Sequence, residues 1–448
     1  MKSQSIRKSV ASDGRLATLH VPLARPIPKW VRWTFLLFLA SLPLEALPIE
    51  NVTSAYMTLP KMFGFVFFAC YLFYSGIPFK IDFPAIPTAM WWFLAYLGVY
   101  AFTGTSLADE GLRGYVIRIL KLIQLFALFW LASGLLRDPK LAKKSILTLA
   151  IVCAGVAVGT LIGLPGFTPE GGTDRATAFD FNPNTVASLM TYAAIIIIGF
   201  CLKESGWSVK RKLCLCALTI PILIVLVSTG SRSGIVSIIF GISFAFIPHR
   251  GSRRQMLTFG VVLAAIIGIG ALVVMDPIAS ERWTRTIEQG DSAKRGDIYG
   301  AALDMIAEKP LAGWGGGLAF VELGTRLGMT GGHIDTHNAI LYLLVEVGFL
   351  GTIPFVVALG LCAREAWKGR IGQFGLIPFQ LLMAMFAYNL THTGLTQKVF
   401  WLFLGFAVAA SSINRELRYR WIVSRTGSKP AGAYREEFPP GDSIPSNS

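Results

Sequence analysis

Residues 337–352 read HNAILYLLVEVGFLGT, and they mark the point where a long polar segment meets a hydrophobic one. The polar segment runs from Asp276 to His337 and separates two apolar stretches of the chain. A loop of this length is uncommon in a compact protein unless it binds or catalyses something. We therefore expect the loop, and His337 at its end, to be functional.

The composition is that of a polytopic membrane protein. Of the 448 residues, 53% are hydrophobic and 15% are charged, and the mean hydropathy is +0.57. This balance excludes an ordinary soluble domain. The formal net charge is +15, but the basic residues gather in short connections and in both tails, as residues that set membrane topology do. We therefore expect membrane lipids around the chain and no nucleic acid as a partner.

The apolar stretches predict an all-α fold. A bilayer core takes about 20 apolar residues per helix, and by this measure the sequence predicts twelve spans. The predicted spans are 31–48, 58–76, 85–104, 115–136, 145–163, 185–202, 212–229, 234–248, 256–275, 338–360, 376–392 and 399–413. Transmembrane helices 1–9 thus fall in 31–275 and helices 10–12 in 338–413. Around them we expect an N-terminal segment (1–30), the long loop (276–337) and a disordered tail (414–448).

Lysine and arginine residues predict the orientation. Alternate connections are basic, and so are both tails, whereas the long loop has nine carboxylates against six Lys and Arg. Positively charged connections stay on the cytoplasmic side of a membrane. Both termini are therefore predicted to be cytoplasmic, and the long loop is predicted to face outward.

Basic residues on the predicted outer side need a separate reason. Five stand out: Arg175, Arg232 in the turn Ser231–Gly234, Arg295, and the pair Arg118 and Lys121 in the outer half of the fourth span. A spacing of three places the last two on one helix face, and basic groups within a span usually face a polar cavity. Guanidinium forks are suited to phosphate oxygens. The set therefore predicts a lipid-linked phosphate or pyrophosphate at the interface.

Three further arginines of the long loop receive a simpler interpretation. Arg282, Arg285 and Arg326 are expected to snorkel or to pair with the many neighbouring carboxylates. The segment after Arg295 has helical spacing, with Ile298, Ala302 and Met305 on one face and Asp297, Asp304 and Glu308 elsewhere. A short helix is therefore expected inside the loop.

His337 is the best candidate for a catalytic side chain. The simpler interpretation is a residue hydrogen-bonded at the interface, but its position at the end of the loop, with arginines on the same side, favours a general base. Histidine accepts a hydroxyl proton near neutral pH. The pattern His333-Ile-Asp335-Thr-His337 also leaves a divalent metal site open, although we expect no metal and no other cofactor.

At this point the motifs resemble a known group, the O-antigen ligase and Wzy polymerase superfamily of bacterial envelope glycosyltransferases. The pieces that carry the resemblance are Arg175 with Asn182-Pro-Asn184, Ser231-Arg-Ser-Gly234, Arg295-Gly-Asp-Ile-Tyr, Lys309-Pro-Leu-Ala-Gly-Trp-Gly, and His337-Asn338 with Gly348-x-x-Gly351-Thr352. Their order, their shared outer side and the long loop before the histidine make the likeness fairly specific, and it covers about Arg175 to Thr352.

The resemblance implies a GT-C-like membrane enzyme of the bacterial inner membrane with a periplasmic active site. It implies an inverting, metal-independent transfer of a glycan from undecaprenyl pyrophosphate to a sugar hydroxyl of lipid A-core or of another lipid-linked glycan. Carried over by motif, His337 would activate the acceptor, Arg232 and Arg295 would hold the pyrophosphate with help from Arg175, and Asn184 and Asn338 would support them. Arg118 and Lys121 are added to the pyrophosphate set from membrane physics alone.

Several functions remain possible from the sequence. An O-antigen ligase is the leading one, and a Wzy-type polymerase of O-antigen or exopolysaccharide is its nearest rival; protein O-oligosaccharyltransferases share this region too. A transporter or lipid flippase is an alternative of another class. Transporters are often built from two related halves with polar features near the midplane, and the sequence offers no convincing internal repeat.

Overall fold

The computed structural model describes residues 27–45, 47, 57–74, 86–104, 109–164, 166, 175–179, 181–203, 206–246, 252–289, 295–316, 318–329 and 334–426. Within these ranges the regular structure is helical throughout. The α-helices are α1 (Lys29–Ser41), α2 (Leu59–Tyr74), α3 (Thr88–Thr103), α4 (Asp109–Leu135), α5 (Pro139–Leu161), α6 (Pro183–Lys203), α7 (Val209–Ala217), α8 (Thr219–Ser228), α9 (Arg232–Ser243), α10 (Ser252–Met275), α11 (Pro277–Gln289), α12 (Arg295–Glu308), α13 (Leu318–Arg326), α14 (Ala339–Gly369), α15 (Ile377–Asn389) and α16 (Lys398–Thr426).

Within the described residues, each of the twelve predicted spans lies mostly on one helix or on two consecutive helices, so the prediction of an all-α membrane protein is confirmed. Six helical segments of the described residues are long and apolar enough to cross a membrane. They are Gly114–Leu135, Pro139–Leu161, Pro183–Lys203, Val209–Ser228, Thr258–Met275 and Ala339–Gly369. The other predicted spans are shorter or more polar helices, so twelve crossings and the orientation stay predictions.

Aromatic side chains fill the centre of the bundle. Trp401 of α16 is fully buried, and its ring centroid lies 4.8 Å from those of Phe93 in α3 and Phe126 in α4. Phe355 of α14 approaches Phe93 at 5.4 Å, edge to face. Such offset and edge-on pairs are the favourable arrangements of aromatic rings. They fix α3, α4, α14 and α16 to one another, and the candidate site lies at the ends of these and the neighbouring helices.

Helix α14 is interrupted at Gly348. This glycine has φ 59° and ψ −164°, a conformation open only to glycine. The break frees backbone groups that bind the segment after α12: Trp314 N donates to Val345 O at 2.8 Å, and Leu350 N donates to Leu311 O at 3.0 Å. The Lys309-Pro-Leu-Ala-Gly-Trp-Gly and Gly348-x-x-Gly351 motifs are thus two halves of one backbone contact.

The long loop folds into helices, as expected. It contains α11, α12 and α13, and a small core forms where α12 and α13 pack against α14. Ala302 and Met305 are fully buried there and Ile298 packs beside them, whereas Asp297 and Asp304 are exposed. The predicted apolar face of this helix is therefore confirmed.

The boundary of the predicted C-terminal tail needs correction. Residues 414–426 were expected to be disordered, but α16 continues through them to Thr426. The physical reason is that neither glycine nor proline interrupts the chain between Gly405 and Gly427. Residues 427–448 of the predicted tail, and all but the end of the predicted N-terminal segment, lie outside the described residues.

Candidate active site

The turn between α8 and α9 is the centre of the site. Gly230 has φ +58°, which glycine adopts without strain, and Ser231 N donates to Thr229 Oγ1 at 3.2 Å. The Ser231 side chain caps α9 by accepting from Gly234 N at 3.3 Å. Arg232 is the first residue of α9, and its Nη1 donates to Thr286 Oγ1 of α11. The turn therefore holds this guanidinium on a rigid support.

Arg175 is fastened to the same turn. Its Nε donates to Thr229 O at 2.7 Å, and its Nη2 donates to Asn184 Oδ1 at 3.2 Å. Asn184 in turn donates its backbone N–H to Asn182 Oδ1 at 2.9 Å. The structure thus explains the spacing of Arg175 and Asn182-Pro-Asn184, because the asparagines orient the arginine.

Four arginines lie close enough to affect one another's charge. Burial lowers the pKa of Arg175 to about 10, and the charges of Arg282 and Arg232 add to the effect. Burial also lowers the pKa of Arg295; nearby Tyr299 opposes the shift and Arg232 contributes to it. Arg282 packs against the turn, since a Cβ on Gly230 would lie 3.0 Å from Arg282 Cδ. We call Arg175, Arg232, Arg282 and Arg295 the arginine group.

His337 lies directly before α14 in a fixed, unusual conformation. Its φ is +51°, a left-handed backbone that only a few per cent of residues other than glycine adopt. Asp335 Oδ1 accepts from His337 N at 3.0 Å. Asn338 caps α14 by accepting from Ile340 N at 2.9 Å and from Leu341 N at 3.1 Å. The half-buried imidazole is therefore positioned by the residues on both sides of it.

A second histidine joins His337 to the arginine group. His392, in the connection between α15 and α16, is 8% exposed, and its ring centroid lies 6.0 Å from that of His337. Burial lowers the pKa of His392 to about 3, and the charges of Arg295, His337 and Arg175 add to the effect. The predicted base and three predicted phosphate ligands thus converge: His337, Arg175 and Arg295 influence His392 directly, and Arg232 belongs to the same group.

Arg118 and Lys121 interact with residues outside the arginine group. Arg118 Nη1 lies 3.7 Å from Glu346 Oε1, a carboxylate with 1% exposure in α14, and the guanidinium lies over the Phe320 ring at 5.1 Å. The exposed Lys121 interacts electrostatically with Lys398 and Glu45, which form an ion pair with each other. The expected shared helix face is present, but its two charges meet different partners.

The simpler interpretation of the loop arginines is confirmed for two of them. Arg285 pairs with Glu281, and Arg326 binds Glu308 through two contacts of 2.7 Å and Glu322 through one of 2.8 Å. Arg282 lies near Gly230 and interacts electrostatically with Arg175, and its simpler interpretation stays a prediction. The metal alternative stays untested, since His333 lies outside the described residues.

Sequence reasoning missed His392 and the carboxylate of Glu346. The predicted span 376–392 took His392 as its last residue, whereas α15 ends at Asn389. The signal available was the polar run Thr391-His-Thr-Gly394 in a short connection on the predicted outer side. Glu346 carried a comparable signal, because a carboxylate inside an apolar span demands a partner.

The geometry defines a helical membrane protein with an arginine-rich site beside a histidine. Residues 217–356 match the Wzy_C family model, which describes an O-antigen ligase. This match confirms, for residues 217–356, the resemblance to the O-antigen ligase and Wzy polymerase superfamily seen in the motifs. Among curated proteins none matches the chain. The matched region includes Arg232, Arg282, Arg295 and His337, whereas Arg175 and His392 lie outside it.

Proposed function

We propose that this protein is an O-antigen ligase-type glycosyltransferase of the bacterial inner membrane. It moves a glycan from undecaprenyl pyrophosphate to a sugar hydroxyl of lipid A-core on the periplasmic side. The observation that carries the proposal is the convergence of His337 with the arginine group around the Ser231 turn. A base and several fixed cations at one place are the two parts that such a transfer needs.

The proposed reaction is a single inverting displacement at the anomeric carbon of the donor glycan. The acceptor oxygen forms the new bond to that carbon while the bond to the pyrophosphate oxygen breaks. His337 takes the proton of the acceptor hydroxyl, and the pyrophosphate leaves with the bonding electron pair. Energy stored in the donor makes a nucleotide unnecessary, and no metal or other cofactor takes part in the proposed mechanism.

The arginine group would stabilise the charge that grows on the leaving pyrophosphate. Fixed donors aimed at developing charge act most strongly where water is excluded. Arg175 supports this role because it is half-buried and its side chain is held by Thr229 O and Asn184 Oδ1. Its guanidinium is therefore oriented before any substrate binds, which lowers the reorganisation needed during the reaction.

Two asparagines would position the arginine group and the base His337. Asn184 orients Arg175, and Asn338 caps α14 beside the base while its Nδ2 donates to Leu390 O at 3.0 Å. Arg118 and Lys121, the remaining members of the predicted pyrophosphate set, are proposed to act at a distance from the reacting atoms. The ion pair between Arg118 and Glu346 supports a structural contribution for Arg118.

A complementation experiment tests the proposal. A strain in which the gene has been deleted would receive wild type, His337→Ala, Arg232→Ala or Arg285→Ala, and envelope glycans would be examined on gels. Arg285→Ala is the matched control. It removes an arginine of the long loop, and this arginine pairs with Glu281. Membrane levels of every variant would be measured by immunoblotting.

The expected result is that the deletion leaves lipid A-core unmodified while lipid-linked polymer accumulates. Wild type and Arg285→Ala restore the glycan, and the His337 and Arg232 variants do not, although they reach the membrane. If single repeats on the core or a loss of secreted polysaccharide appear instead, the protein is a polymerase. If both site variants work like wild type, the catalytic proposal is wrong and a transporter becomes the better reading.

A further inference from the structure

The connection between α15 and α16 is a closed, well-anchored loop. Asn389 Oδ1 accepts from Gly394 N at 2.8 Å, and its Nδ2 donates to Met385 O at 2.8 Å. Trp401 Nε1 donates to Leu395 O at 2.8 Å, which fixes the far end to the start of α16. Since the matched family region ends at residue 356, the match assigns nothing to this loop.

His392 contacts the arginine-bearing turn from this loop. Its Nδ1 and Ser233 Oγ share a hydrogen bond of 3.2 Å, and Ser233 Oγ lies 3.0 Å from Ser231 Oγ, the cap of α9. The ring stacks on Tyr388, with centroids 4.7 Å apart and an interplanar angle of 14°. Tyr388 in turn hydrogen-bonds side chains of α6, which begins beside Asn184. Tyr388 therefore holds one face of the imidazole, and Ser233 of the turn holds its Nδ1 edge.

The same loop also holds the segment that carries His337. Thr393 Oγ1 donates to Asp335 Oδ1 at 2.6 Å, and this oxygen is the one that accepts from His337 N. Asn338, the cap of α14, donates its Nδ2 to Leu390 O at 3.0 Å. The loop is therefore joined to the Ser231–Gly234 turn by the His392–Ser233 hydrogen bond. It is joined to the residues around His337 by its contacts with the side chains of Asp335 and Asn338.

We propose that His392 is a positioning residue that fixes the distance between the general base His337 and the arginine group. It does so by joining the Ser231–Gly234 turn to the loop 390–393, which holds Asp335 and Asn338. This inference rests on the proposed function, because it assigns the loop a role in that reaction. It adds a residue from outside the matched region to the candidate active site.

The charge state of the ring agrees with such a role. Burial, together with the charges of Arg295, His337 and Arg175, lowers the pKa of His392 to about 3, so the imidazole is neutral at physiological pH. A neutral ring adds no further repulsion to the arginine group. It also keeps one nitrogen as a donor and one as an acceptor, which suits a hydrogen bond to a hydroxyl.

The test uses the full-length protein in proteoliposomes with a polyprenyl-pyrophosphate glycan donor and lipid A-core acceptor. Two variants separate the hydrogen bond from the ring: His392→Phe keeps the ring and removes the nitrogens, while His392→Asn places an amide where Nδ1 lies. Ser233→Ala removes the partner hydroxyl. Ser133→Ala is the control, because it removes one buried hydroxyl that donates to Trp130 O within α4 and that the proposed mechanism does not use.

Positioning predicts a specific pattern. His392→Phe should lower kcat per folded molecule by about 100-fold with little change in the donor KM, since small displacements of reacting groups have effects of this size. His392→Asn should recover most of the loss. The double variant with Ser233→Ala should be no slower than the slower single variant, because both remove one shared contact. Ser133→Ala should behave like wild type.

Three results would overturn the inference. The first is a wild-type kcat in His392→Phe. The second is a loss of activity explained wholly by a smaller amount of folded protein. The third is a double variant in which the effects of the two single changes multiply. A second readout is the rate at which diethyl pyrocarbonate modifies His337, followed by peptide mass spectrometry. It should change in His392→Phe even if wild type transfers no glycan, so a failure of the proposed function is distinguishable from a failure of the positioning role.

Discussion

Two sets of arginines on the predicted outer side differ in what surrounds them. Arg285, Arg326 and Arg118 each face a carboxylate, with contacts of 2.7 Å for Arg326 and Glu308 and 3.7 Å for Arg118 and Glu346. In the arginine group, burial lowers the pKa of Arg175 and of Arg295, and the charge of Arg232 adds to both shifts. Arg175 donates to two neutral oxygen atoms. Arginines on the same predicted side of the membrane therefore differ in the residues that surround them.

The difference has a physical meaning. A cation paired with a carboxylate is already compensated, and it gains little from a second anion. Half-buried cations that repel one another are stabilised by an anion that binds among them. In the proposed function, the arginine group receives the negative charge of the pyrophosphate, while Arg285, Arg326 and Arg118 stabilise helices and loops. Three arginine variants test this comparison, and Gly348→Ala tests the break in α14, two residues after Glu346.

The largest effect is expected within the arginine group. Arg295→Ala should lower kcat/KM for glycan transfer by roughly 100- to 1000-fold, the range for removing one preorganised donor from developing charge. Arg295→Lys should recover only part of the loss, because an ammonium keeps the charge but lacks the fork. Transfer kinetics of the purified protein measure both, and full activity of Arg295→Ala would remove this residue from the site.

The second effect is on folding and concerns the break in α14. A Cβ at Gly348 would lie 2.3 Å from Leu311 O, and the residue has φ +59°. Gly348→Ala should destabilise the protein by about 3 kcal/mol or more, because strain and a backbone clash act together. Thermal unfolding in detergent measures this. Gly360→Ala in the same helix is the matched control, since a Cβ there meets nothing within 4 Å, and a destabilised control would contradict the assignment.

The sequence alone predicts the positions of most helices but few of the side-chain contacts between them. Apolar length predicted the positions of the helices outside the long loop, because about 20 apolar residues suit one bilayer crossing. It did not predict α11, α12 or α13, which lie in the polar loop. The spacing of Arg118 and Lys121 predicted a common face, but only the packing of α4 against its neighbours decides that one charge meets Glu346 and the other meets Glu45 and Lys398. Contacts between residues far apart in the chain are not encoded in local periodicity.

In the candidate site, too, some residues were predicted from the sequence and others were found only from their contacts. His337, Arg175, Arg232 and Arg295 were predicted from motifs and charge, and the structure brings them together. His392 escaped, because a histidine at the end of an apolar run resembles an ordinary interfacial residue until Ser233 is found beside it, 159 positions away. What was missing from the sequence was three-dimensional proximity, not chemistry.

A third change tests a compensated arginine inside the bundle. Arg118→Met leaves the carboxylate of Glu346, only 1% exposed, without its cation. We expect a loss of roughly 2 kcal/mol in unfolding free energy, less than for a fully buried pair because Arg118 is partly open to solvent. Adding Glu346→Gln should restore much of it, since the amide carries no charge and still reaches Tyr342 OH.

Activity decides what this third result means. Glycan transfer per folded molecule should stay near the wild-type level in Arg118→Met and in the double variant, because the pair is structural in this comparison. Unfolding and transfer would be measured on the same preparations. A large loss of transfer in the double variant, with stability restored, would return Arg118 to the pyrophosphate set.

The smallest effect is expected at Arg326. Its guanidinium binds Glu308 and Glu322 and lies over the Trp314 ring at 5.0 Å, all within the loop subdomain of α12 and α13. Ion pairs open to solvent contribute little to stability, so Arg326→Ala should shift the thermal midpoint only slightly and leave glycan transfer unchanged. The comparison depends on this outcome as much as on Arg295. If Arg326→Ala abolished transfer in a folded protein, compensation by a carboxylate would no longer separate structural arginines from those that meet the substrate.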